Sequence, residues 1–173
     1  MPIEGTAILA GELGERLAGV LSPEELARAR HFMTDPGLDV LRDARVATGA
    51  GRVTAMHDPT EGGVITALWE LAEASGRSLE VTPERIPVPD LAQRMCQALG
   101  LDPLATIASG ALLLTCPPAE AQAIEDALAG AGIACSEIGT VKPGPATVYR
   151  VTEAGGGPID RPERDEIAKV YEA

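Results

Sequence analysis

The stretch Met56-His57-Asp58-Pro59-Thr60-Glu61-Gly62-Gly63 constrains this chain more than any other. There an apolar run, a polar corner, paired glycines and an amphipathic pattern follow one another without interruption. Arg52 to Met56 (RVTAM) reads as a short buried strand, rich in β-formers and preceded by the breaker Thr48-Gly49-Ala50-Gly51. The strand is expected to stop at Asp58-Pro59, because proline has no N–H for a sheet ladder and biases the residue before it away from the helical region. Thr60 is placed to cap the following helix, and Glu61 to put negative charge at its positive end. A strand, a glycine corner and a helix start leave backbone N–H groups free for an anion, phosphate being the obvious one.

Such an anion would need a local site, since the chain as a whole is acidic. With 26 Asp and Glu against 14 Lys and Arg, the formal charge is −12. That balance argues against nucleic acid, whose phosphates are held by clustered basic side chains. The 173 residues suffice for one domain with a real core. With one Phe, one Trp and two Tyr, that core must rest on aliphatic packing. Cys96, Cys116 and Cys135 show no C-x-x-C pair and no neighbouring histidine, which suits reduced thiols rather than a disulfide framework or a metal site. No apolar leader and no run of about 18 apolar residues is present, so a soluble, cytoplasmic protein away from membranes is expected.

Along the chain, residues 2–10 (PIEGTAILA) read as extended. Ser22-Pro23-Glu24-Glu25 is a strong helix start with a capping box. Asp35-Pro36 repeats the cap-plus-proline pattern, with Leu38, Leu41 and Ala44 marking another helix. Val64, Leu68 and Leu71 line a helix that ends at Ser75-Gly76. Ser78 to Val81 is a short strand, and Leu91, Met95 and Leu99 give a buried helix face. Ala111 to Cys116 fits a central strand, Ala119 to Gly130 an amphipathic helix, and Ile133 to Val141 and Thr147 to Val151 further strands. Gly155 to Gly157 reads as a loop and Arg161 to Glu172 as a terminal helix. Residues 1–50 are then a mostly helical segment packed on the same domain, 51–151 the α/β core and 152–173 a loop and terminal helix. The pattern predicts an α/β or α+β domain with one mixed sheet and helices against it.

Two readings stand for each candidate group. His57 and Asp58, at a strand end, suit proton transfer or substrate contact; a histidine bonded to its own turn is the plainer alternative. Gly62-Gly63 suits an anion, or simply lets a helix pack close to a strand. Ser109-Gly110 brings backbone near a ligand, or is a strand-entry turn. The chain lacks G-x-x-x-x-G-K-[ST], so no Walker-type phosphate loop is present. His31 is read as structural or surface.

The order of these motifs is similar to that of a known family. Ile3 to Ala10 (IEGTAILA), Met56 to Gly63 with its helix ending ELAEASG, IPVP at Ile86 to Pro89, and LGLDPLATIASGALLLT from Leu99 to Thr115 resemble the C-terminal domain of AIR synthase-related proteins. The likeness runs from about residue 3 to residue 141 and leans towards hydrogenase maturation proteins of the HypE type. It implies a three-layer α/β/α domain with a mixed β-sheet, PurM C-terminal domain-like and partly like a ferredoxin fold. In the wider family, ATP supplies a phosphoryl group, often to a carbonyl or amide oxygen. The glycine-rich corner then belongs to a substrate cleft beside the nucleotide.

The resemblance places the corner His57 to Gly63 in that cleft; with the residue reading, His57 and Asp58 are the catalytic candidates and Thr60, Glu61, Gly62, Gly63, Ser109 and Gly110 the phosphate- or substrate-binding ones, with no metal ligand expected in this chain. ATP and Mg²⁺ are implied for the complete enzyme, held by an ATP-binding N-terminal domain on a longer chain or a separate subunit. A homodimer is compatible with it. This chain ends Lys169-Val170-Tyr171-Glu172-Ala173, where HypE-type proteins end in a cysteine that carries the modified group. That departure speaks against the hydrogenase-maturation activity itself, and without the ATP-binding domain the chain alone is expected to be inactive. A different class of reading is a non-catalytic anion- or nucleotide-binding module with a regulatory or assembly role.

Overall fold

The computed structural model describes residues 2–152 and 155–171. Its N-terminal part is helical: α1 (Ile3–Glu12), the single turn α2 (Gly14–Leu17), α3 (Pro23–Arg30) and α4 (Leu41–Ala50). The expected extended start is thus a helix. Its first amides find carbonyl partners elsewhere in the fold, Glu4 N–H at Ser109 O and Gly5 N–H at Ile107 O, so the loop 107–109 supplies what a local cap would. The Ser22 capping box forms as its sequence predicts, Ser22 Oγ accepting from Glu25 N–H and Glu25 accepting from Ser22 N–H. The helix anticipated from Asp35 begins only at Leu41. Gly37 turns the chain there at φ +87°, and Asp39 Oδ1 takes up the Leu41 N–H.

The strands form two sheets, which corrects the single mixed sheet read from the pattern. β1 (Ala55–His57) pairs antiparallel with β3 (Leu113–Thr115), His57 opposite Leu113 and Ala55 opposite Thr115. The second sheet has the order β4-β2-β5-β6, built from β2 (Ser78–Val81), β4 (Gly139–Lys142), β5 (Thr147–Thr152) and β6 (Gly155–Pro158). Within it β2 and β5 run parallel while the other pairs are antiparallel. The glycine run expected as a loop is strand β6. Gly156 lies so close to β5 that a Cβ there would stand 2.1 Å from Arg150 O, and only glycine permits that approach.

Helices cover both faces of the short β1–β3 pair. Leu113 belongs to the core formed with α5 (Gly63–Ser75), where Val64, Ala67, Leu68 and Ala72 meet Leu79 and Val81 of β2 and Val148 of β5. Its neighbour Leu114 faces the other way, onto Ala47 of α4 and Ile124 and Leu128 of α7 (Pro118–Gly130). A third core joins α1, α3 and α6 (Asp90–Leu99) through Ile3, Leu9, Leu26 and Met95, closed by Val170 of the last 3₁₀ turn, Glu166–Tyr171. That turn replaces the expected terminal helix, whose last residue, Glu172, lies outside the described residues. No helix among the described residues is long and apolar enough to cross a membrane.

Candidate functional site

The corner that joins β1 to α5 is tighter than the sequence suggests. Gly62 and Gly63 both adopt the left-handed conformation, at φ +73° and +62°, so the chain turns twice before the helix starts. Helix α5 is therefore capped at Gly62 and not at Thr60, and no side chain caps it locally. Thr60 serves through its carbonyl, which accepts from Gly63 N–H at 3.0 Å and from Ala108 N–H at 3.2 Å. Glu61 is exposed in the turn ahead of the helix, whose first turn holds no acid.

The segment 104–108 closes on this corner. Leu104 O accepts Ile65 N–H at 3.1 Å, and a Cβ on Gly63 would stand 2.4 Å from Leu104 O and 2.7 Å from Thr106 O. The paired glycines thus make close packing possible, against a loop rather than against the strand. The Gly62 N–H points elsewhere and donates to Asp165 Oδ2 at 2.6 Å. This corner amide already carries an oxyanion, supplied from the far end of the chain.

His57 lies on β1 itself, one residue later than the expected strand end. Its Nε2 stands 2.6 Å from Oε2 of Glu70, two turns into α5, and both side chains are partly exposed. Glu70 is shared with Arg161, 3.6 Å away, and Arg161 also pairs with Glu73 at 2.8 Å. A carboxylate on Nε2 fixes the orientation of the imidazole and leaves Nδ1 as its working nitrogen. Asp58 follows at the strand end. Partial burial pushes its carboxyl above the usual range, His57 opposes that shift and the nearby Glu4 adds to it.

Ser109 and Gly110 meet the first turn of α1, not the corner. Ser109 O holds Glu4 N–H at 3.3 Å, and a Cβ on Gly110 would meet Gly37 O at 2.7 Å. They join the site only indirectly, through Ala108 N–H on Thr60 O. Sequence reasoning missed Glu4, Glu70 and Asp165. Glu70 had a usable signal, since it follows the corner on the predicted helix; Asp165 had none, because its contact spans 103 positions. Among the described residues no cluster of three or more His, Cys, Asp or Glu is arranged for a metal ion.

A mixed α/β domain with this corner and helices on both faces of its short strand pair is of the PurM-like class. A HypE solved in complex with ATP superposes with TM-score 0.64 at 28% identity, over 73% of this chain and 41% of that one. The family described as "AIR synthase related protein, C-terminal domain" matches residues 3–152, and the chain belongs to it. It is similar to the carbamoyl dehydratase HypE of Azotobacter vinelandii, 31% identical over 140 residues, which are 78% of this chain and 40% of that protein. The HypE of Rhizobium leguminosarum bv. viciae is 32% identical over 157 residues, 88% of this chain and 45% of its own length. The chain thus spans less than half the length of these relatives.

Proposed function

We propose that this chain is the substrate- and phosphate-side domain of a HypE-like, ATP-dependent enzyme, acting with an ATP-binding AIR synthase-type domain on the same longer chain or on a separate subunit. The observation that carries the reading is the 2.6 Å bond from Gly62 N–H to a carboxylate, for the corner binds an oxyanion with its own backbone. The family membership and the ATP-bound relative support phosphate as the oxyanion of function. Gly62 N–H is the donor of the phosphate side, presented by the turn that Thr60, Glu61 and Gly63 form, with Ser109 and Gly110 buttressing it through α1 and the loop 107–109. His57, oriented by Glu70, and Asp58 position the accepting group.

ATP, when bound by the partner domain, supplies the phosphoryl group. Mg²⁺, needed for phosphoryl transfer, belongs with the ATP-binding domain of the complete enzyme. The protein works in the cytoplasm, and this chain alone has no turnover. The test mixes it with the ATP-binding domain of a HypE relative and follows ATP consumption. Turnover that needs both chains, and that falls at least tenfold in His57→Ala, is expected. Turnover by the mixture that is indifferent to both His57→Ala and Asp58→Asn overturns the assignment.

A further inference from the structure

Residues 159–165 lie against α5, between Glu73 and the Gly62 cap. The Trp69 indole N–H donates to Ile159 O at 2.9 Å, Arg161 grips Glu73 and reaches Glu70, and Asp165 sits on the Gly62 N–H. Beyond Asp165, Glu166 N–H donates to Ala105 O, and Glu166 Oε2 accepts Asp102 N–H, both at 3.1 Å. Asp165 is itself held in place, since its Oδ1 accepts Ile167 N–H at 2.9 Å.

We propose that this segment is a strap whose Asp165 carboxylate occupies the place of a phosphate oxyanion at the Gly62 amide, so that a phosphate-bearing ligand and the closed strap exclude each other. The inference rests on the corner's being the phosphate site. Three features favour a latch over a permanent cap. The bond that would be broken is charge-assisted, so an incoming dianion can replace like with like. The Arg161 contacts are exposed ion pairs, which add little stability, so they hold the strap only weakly. Val170, buried in the core of α1, α3 and α6, keeps the far end tied, so opening is local.

Opening also alters the other half of the site. Arg161 shares Glu70 with His57, and a released strap leaves Glu70 to His57 alone. Phosphate at the corner and the state of the histidine pair are thereby linked, and the linkage is reciprocal.

The test titrates inorganic phosphate into the full chain and follows backbone amide and Trp69 indole signals by NMR, for wild type, Asp165→Ala and Asp165→Asn. In wild type the Gly62 amide and the Trp69 indole are expected to move together with one apparent Kd. Asp165→Ala is expected to bind about tenfold more tightly, the factor for removing a competitor closed about ten times as often as it is open. Asp165→Asn, which keeps shape and loses charge, should fall between and covers the case in which the alanine variant fails to fold. Phosphate that shifts Gly62 equally in all three chains overturns the strap while sparing the phosphate site. Phosphate that leaves Gly62 unmoved in every variant overturns the site, and the strap with it.

Discussion

Gly63 shows how much one missing methyl group decides. Its left-handed backbone and the carbonyls of Leu104 and Thr106 leave no room for a side chain. Gly63→Ala should therefore cost roughly 2–4 kcal/mol, from backbone strain plus overpacking, measurable by urea denaturation. Asp58 gives a pH signature. Its carboxyl pKa is raised in the folded state, so the folded chain holds a proton that the unfolded chain has released. Stability contributed at this position declines as pH rises through that window, and Asp58→Asn should abolish the decline. The difference in stability between wild type and Asp58→Asn, followed from about pH 4 to 7, should widen in favour of the variant. Both residues were visible in the sequence. The direction in which they act was not, because φ at Gly63 and the approach of Glu4 to Asp58 depend on the loop 104–110 folding back from fifty positions away.

Elements were legible where local chemistry sufficed. The Ser22 capping box is self-contained, and it forms; Ser22→Ala should lose about 1 kcal/mol, read from the same denaturation curves. The helix over Gly63–Ser75 and the helix over Asp90–Leu99 likewise follow from apolar spacing and from the glycines after them, Gly76 and Gly100, both left-handed. Misreadings fell where a distant segment decides. Ile3 to Ala10 is apolar enough to pass for a strand, yet the carbonyls of Ile107 and Ser109 cap it as a helix. Gly155 to Pro158 has no strand propensity, yet the edge of β5 accepts it because glycine brings no side chain to clash. Ile133 to Ile138 has strand propensity but lies outside the sheet, and pairing starts only at Gly139.

At the scale of the whole molecule, the three apolar cores among the described residues differ in size. The smallest ties α4 to α7 through Ala47, Ile124 and Leu128. Ile124→Ala there should cost about 2–5 kcal/mol. The loss should show first as faster hydrogen exchange in α4 and α7, while the core of α1, α3 and α6 keeps its protection. Such an outcome would mark the α4–α7 layer as a separate cooperative unit. Even exchange across all helices would mark the domain as a single one.

The order β4-β2-β5-β6 has a consequence for how the chain is made. β2 is internal to its sheet, but both strands that flank it come much later in the sequence. While the chain leaves the ribosome, Leu79 and Val81 can settle on α5, but the hydrogen-bonding edges of β2 have no native partner until residues 139–152 have emerged. A nascent chain in that state presents two open strand edges at once. Slow synthesis through the intervening helices lengthens that exposure, and a chaperone that shields extended segments would act at this stage.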